Sequence, residues 1–140
     1  MFYEWHHIIT FEETNLVGNV YYANHIRWQG SCREMFLRDH APDVLELLNK
    51  DLVMVTTHVS CSYFNELFAF DEVYVRMLAG AVTESRVTML FDYVCKREQG
   101  EELMARGEQQ VACMLKKNGG VVPTPIPKSL REALNPFSDL

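Results

Sequence analysis

The chain has no apolar run near the roughly 20 residues that span a bilayer, which excludes a membrane-spanning helix. Basic residues are scarce: 13 Lys and Arg stand against 19 Asp and Glu, for a net charge of -6 and a pI near 5.3. No basic stripe can displace counterions from phosphates, so a nucleic-acid partner is not expected, and Lys128 and Arg131 are too few to change this. CxxC pairs are absent. Cys32, Cys61, Cys95 and Cys113 stand singly inside apolar patterns and read as buried reduced thiols, not as a disulfide framework or a zinc site. His6, His7, His25, His40 and His58 lack H-x3-H spacing and a partnering acidic cluster, so no metal is expected. There is no glycine-rich phosphate loop and no G-x-S-x-G elbow, since Gly30-Ser31-Cys32 lies inside a helical pattern. No cofactor is expected. The opening MFYEWHHIITFEE has neither the basic nor the apolar region of a secretory leader, which points to the cytoplasm.

What is present is a dense apolar pattern. With 140 residues, 48% of them hydrophobic, the chain suits one domain over residues 1–140, burying roughly 68% of its unfolded surface. Tyr3, Trp5, Ile9 and Phe11 alternate as a first strand. A long helix follows, in which Tyr21, His25, Trp28, Cys32, Met35 and Phe36 form one stripe and Tyr22, Ile26, Arg33 and Leu37 a neighbouring one. Gly30 in its middle costs roughly 1 kcal/mol relative to Ala, which suggests another backbone crossing close by.

A second helical segment, Pro42 to Asn49, precedes four period-two strands. Their shared faces are Val53, Val55, Thr57, Val59, Cys61 and Tyr63, then Val73, Val75 and Met77, then Val87, Met89, Phe91, Tyr93 and Cys95, then Ala105, Gly107, Gln109, Val111, Cys113 and Leu115. Glu84 with Ser85, and Gln99 with Gly100, supply short hairpin turns. The tail is proline-rich and then briefly helical. This order predicts an α+β layer fold, a five-stranded antiparallel sheet curled around one long helix, with exposed edges that dimerisation would cover.

Between the first strand and the helix lies EETNLVGNVYYANHIRW, which places Asn15, Gly18 and Asn19 where the backbone must turn before a helix N-terminus. From local pattern alone, Asn15 is a turn or capping residue and Gly18 a left-handed turn position. Loops of this kind also bind anions or polarise carbonyls.

EETNLVGNVYYANHIRWQGSCRE resembles the signature region of hotdog-fold acyl thioesterases of the 4-hydroxybenzoyl-CoA type, and the strand order and the PTPIP tail extend the likeness over nearly the whole chain. Thr-Asn-Leu-Val-Gly-Asn-Val-Tyr followed by RWQGSCREMFL is similar to the thioesterases of enediyne polyketide clusters. That resemblance implies release of a conjugated polyene chain from the acyl carrier protein domain of an iterative polyketide synthase, and a homotetramer built as a dimer of dimers.

The general family has a catalytic Asp where this chain has Asn15. An amide carries no basic lone pair for proton abstraction at neutral pH. The enediyne subgroup shares the substitution, and the resemblance assigns the catalytic work to Asn15 with Arg33. Backbone N–H groups around Tyr21 and Tyr22, at the positive end of the helix dipole, suit a tetrahedral oxyanion, and Gly18 admits the thioester closely. Asn15 would hold water or carbonyl by hydrogen bonds while Arg33 meets developing negative charge.

Asn19, His25, Trp28 and Glu66 are candidate substrate-binding residues, with Glu66 expected to reach the loop across a dimer. The stripe of Tyr21, Trp28, Met35 and Phe36, with Met54, Met77 and Met89, is first of all core and in part a tunnel wall. Two other functions stay open: a general acyl-CoA thioesterase, against which Asn15 counts, and a non-catalytic acyl- or polyene-binding protein.

Overall fold

The computed structural model describes residues 1–138. Its elements are β1 (Tyr3–Ile8), α1 (Ala23–His40), α2 (Pro42–Leu48), β2 (Leu52–Tyr63), β3 (Glu72–Val82), β4 (Arg86–Arg97), β5 (Gly100–Lys117), β6 (Gly120–Pro123) and α3 (Lys128–Leu134). The antiparallel sheet runs β1-β3-β4-β5-β2, and β6 pairs with the end of β5. This is the hotdog arrangement, with α1 packed against β1, β2, β3 and β5.

The inner face of the sheet follows the alternation read from the sequence. Val73, Val75, Met77, Val87, Met89, Phe91, Tyr93, Cys95, Ala105, Val111 and Cys113 are all buried. From α1 they meet Trp28, Cys32, Phe36 and Leu37 at helical spacing, giving one continuous core.

Several local expectations are corrected. β1 ends at Ile8, and Phe11 sits in a short 3-10 turn, Phe11–Glu13, with its ring exposed. The stretch before the prolines is not irregular: a turn at Asn118 and Gly119, both at positive φ, brings β6 back onto β5. β2 and β3 are not hairpin neighbours, because residues 64–71 carry the chain from one edge of the sheet towards the other.

The single face expected for β2 is also interrupted. Thr56 pairs with Val111 and His58 with Gln110, leaving Thr57 unpaired in a β-bulge. Leu52, Met54 and Thr56 lie opposite inward-facing β5 residues before the bulge, and Val59, Cys61 and Tyr63 after it.

Gly30 likewise departs from expectation, since a Cβ built there meets nothing within 4 Å. Close approach occurs at Gly107 instead, where a Cβ would lie 2.2 Å from Gln29 Nε2 and 3.0 Å from the Ser60 carbonyl. The missing side chain on β5 makes room for a fully buried glutamine on α1, whose amide donates to Ser60 O at 3.0 Å.

Candidate active site

The loop after the 3-10 turn is a closed hairpin. Asn15 N–H donates to Asn19 O at 2.7 Å, Gly18 N–H donates to Asn15 O at 2.9 Å, and Thr14 bridges Val20. Gly18 takes φ +96°, a left-handed value that a Cβ would strain. The apolar side chains at the tip, Leu16 and Val17, point into solvent.

A polar chain runs along this hairpin. Asn15 Nδ2 donates to Asn19 Oδ1 at 3.1 Å and to Val20 O at 3.4 Å, and Asn19 Nδ2 donates to Glu66 Oε1 at 3.3 Å. Glu66 therefore reaches the loop within one chain, contrary to the expectation that it would do so across a dimer. The reason is local: Val20 N–H donates to Leu67 O, and Asn19 bridges Phe68.

The first turn of α1 divides the two expected oxyanion donors. Tyr21 N–H already donates to Glu13 O at 2.9 Å, whereas Tyr22 N–H makes no backbone hydrogen bond among the described residues. Tyr22 is the N-cap residue of α1, so its N–H points out of the helix start.

Arg33 lies eleven residues beyond Tyr22, about 16 Å along the helix at 1.5 Å per residue. Its half-buried guanidinium donates through Nη1 to Gln109 Oε1 at 2.6 Å. Glu34 Oε1, at 3.7 Å and exposed, is its carboxylate neighbour among the described residues. Because its short partner is a neutral amide, the cation keeps its charge for an incoming anion. Asn15 and Arg33 share no hydrogen bond within the chain.

Beside Arg33, Phe36, Met54 and Met89 line an apolar void of about 10 Å³, so part of the expected tunnel wall does converge, around a space far smaller than an acyl chain. A broader open depression of about 590 Å³ at the β5–β6 turn contains no candidate site residue. Among the described residues no group of His, Cys, Asp or Glu is arranged to hold a metal ion.

Two expected wall residues are deep in the core. Trp28 is 3% exposed, and its indole N–H donates to Glu13 Oε2 at 2.8 Å, so it braces the loop and does not line a surface. His25 is 4% exposed among the rings of Trp28, Tyr63 and Tyr93. Burial pushes its imidazole down to about 4, so it is neutral at pH 7. Among the described residues neither ring nitrogen has a hydrogen bond of good geometry, and the Tyr22 backbone offsets only part of the effect of burial.

The centre missed in the sequence is Glu13. Its carboxylate accepts from Thr10 N–H at 2.9 Å, from Trp28 at 2.8 Å and from His7 Nε2 at 2.9 Å, and its carbonyl accepts from Asn24 Nδ2 at 2.8 Å as well as from Tyr21. Burial pushes this carboxyl up, but the bonds from Thr10, Trp28 and His7 outweigh burial and hold it below the ordinary carboxylate range. The signal was legible in outline, since Thr10-x-x-Glu13 is a capping-box spacing.

A closed polar loop thus leads into the N-terminus of α1, and a half-buried cation stands further along that helix. The sequence profile of the Thioesterase-like superfamily matches residues 9–134, and the chain belongs to that family. It is 30% identical over 126 residues to a putative esterase of Aquifex aeolicus (strain VF5), covering 90% of this chain and 92% of that one. A solved structure of the dynemicin thioesterase, described for its induced-fit and allosteric effects upon polyene binding, shares 44% identity with a TM-score of 0.96, covering 100% of this chain and 99% of that one. A 4-hydroxybenzoyl-CoA thioesterase variant complexed with 4-hydroxybenzoyl-CoA superposes with a TM-score of 0.83 at 13% identity, over 94% of this chain and 97% of that one, a likeness of fold alone. The activity is that of a thioester hydrolase acting on an acyl group.

Proposed function

We propose that this thioesterase releases a conjugated β-keto polyene from the acyl carrier protein domain of an iterative enediyne polyketide synthase. The full-length likeness to the dynemicin thioesterase, a protein described as binding a polyene, supports the substrate class. The observation that carries the chemistry is the half-buried Arg33 guanidinium held by Gln109 and not by a buried carboxylate, on a helix whose first turn leaves the Tyr22 N–H available.

In this reading the thioester carbonyl lies at the start of α1, and Asn15 orients the attacking water. The water oxygen bonds to the carbonyl carbon, and the oxyanion is met by the Tyr22 N–H and the Arg33 cation. The carbon–sulfur bond then breaks, and the water's proton ends on the departing sulfur. A positioned oxyanion donor is worth roughly 3 kcal/mol of barrier. A β-keto thioester is electrophilic enough for this to suffice without a carboxylate base, and the β-keto acid released loses carbon dioxide readily.

The site is shared between two protomers, one giving the loop and the other Arg33, within a cytoplasmic dimer of dimers. Single-turnover release from a carrier protein loaded with a β-keto polyene, followed by intact mass, tests the reading. Asn15→Ala and Arg33→Ala are each expected to slow release by at least about tenfold with the fold intact. A chain that binds polyene without releasing it is an acyl-binding protein instead, and equal release from simple acyl-CoA favours a general acyl-CoA thioesterase.

A further inference from the structure

Glu13 is the one carboxylate beside the loop that is enclosed on all sides, being 7% exposed, and the reaction proposed above does not use it. Its two ends have different partners. The carboxylate collects N–H donors from β1 (His7), from the start of the turn (Thr10) and from the second turn of α1 (Trp28), while the carbonyl holds the Tyr21 N–H just before α1 and the Asn24 amide in its first turn. The chain reaches Asn15 only two residues later.

We propose that Glu13 is the positioning residue of this site, fixing the distance between the Asn15 side chain and the Tyr22 N–H by tying the loop to β1 and to both of the first turns of α1. This role rests on the hydrolytic reading, because it matters only if those two groups act on one carbonyl. The physical basis is the direction of the bonds. Three N–H donors converge on one carboxylate, whose oxygens all accept. A glutamine of the same shape must turn its NH2 group towards at least one of those donors, so Glu13→Gln loosens the junction without opening a cavity. A shift of about 1 Å in such a junction costs as much as a hundredfold in rate.

The test uses the full-length protein and two independent measurements. In the first, hydrogen exchange followed by mass spectrometry compares wild type with Glu13→Gln: faster exchange confined to peptides covering residues 14–24 is expected, with β3, β4 and β5 unchanged. In the second, turnover of a β-keto acyl pantetheine thioester is measured: kcat is expected to fall about tenfold while KM stays within about threefold, the split of a misplaced transition-state contact.

Faster exchange throughout the chain would make Glu13 a residue of the fold alone and overturn the proposal, as would a loosened loop with unchanged kcat. If Glu13→Gln does not fold, His7→Phe removes one donor and is expected to reproduce the same split at about threefold; an unchanged kcat there also overturns it. Absence of turnover by the wild type overturns the hydrolytic reading and the positioning role with it, whereas the exchange measurement still reports separately whether Glu13 holds the loop.

Discussion

At the scale of single residues, the sequence motif and the physics of burial point to different side chains. The turn at Asn15 and Gly18 was legible from its local pattern, whereas the pairing of Asn15 with Arg33 was implied by the resemblance and not by spacing. His25 was legible only as a residue near the helix start; its environment is set by Tyr63 and Tyr93, remote in sequence. That environment has a measurable consequence. An exposed histidine in the unfolded chain titrates near 6.5, whereas burial lowers the folded value to about 4. Between these values the unfolded state binds more protons, so stability is fully present above about pH 6.5 and is lost as pH falls towards 4. Denaturant midpoints across this window should decline in the wild type and decline less in His25→Phe. An equal slope in both would show that other groups carry the acid sensitivity. Glu13 and Gln109 escaped notice for opposite reasons. Glu13 looked like one more acidic residue in a polar loop, and Gln109 was counted with its apolar neighbours on β5, though its carbonyl is what holds Arg33.

At the scale of elements, period-two patterning located every long strand, because alternate side chains of a half-buried sheet meet different solvents. It failed where backbone geometry breaks the period. The bulge at Thr57 exchanges the faces of β2 midway, and an uninterrupted alternation cannot reveal which residue is skipped. Deleting Thr57 would place Thr56 and His58 on consecutive positions of the ladder and keep Val59, Cys61 and Tyr63 on the inner face. Retention of cooperative thermal unfolding is the expected result. Thr57→Ala, which leaves the residue count intact at an exposed position, should change stability by less than about 1 kcal/mol. A deletion variant that loses cooperative unfolding would mean that the fold needs the bend of the bulge itself and not only the facing of β2. β6 was missed for a related reason: a four-residue exposed strand has no inner face to imprint on the sequence. Strand order was not legible either, since β2 pairs with β5 through contacts about 50 residues apart and no turn specifies them.

At the scale of the whole molecule, Asn15 and Arg33 do not meet within one chain. β2 forms one edge of the sheet, with Val55, Val59 and Tyr63 partly exposed, and the loop tip presents Leu16 and Val17 to solvent. The flank of α1 bearing Ile26, Gly30 and Arg33 is only half covered. If the loop of one protomer completes the helix flank of another, the two catalytic defects must complement in a mixed dimer. A dimer of one Asn15→Ala chain and one Arg33→Ala chain then contains one site with both defects and one with neither. Random reassociation makes about half of the dimers mixed, so roughly a quarter of wild-type release should return from two nearly inactive parents. If instead both residues served the same protomer's site, every site in the mixture would carry one defect, and activity would stay at the level of the parents. The measurement is release by the whole mixture after co-refolding, and the mixed species isolated by two affinity tags should reach about half of wild-type release. It also tests the shared site without relying on the oligomer's size, because a dimer whose sites are each built from a single chain would fail to complement.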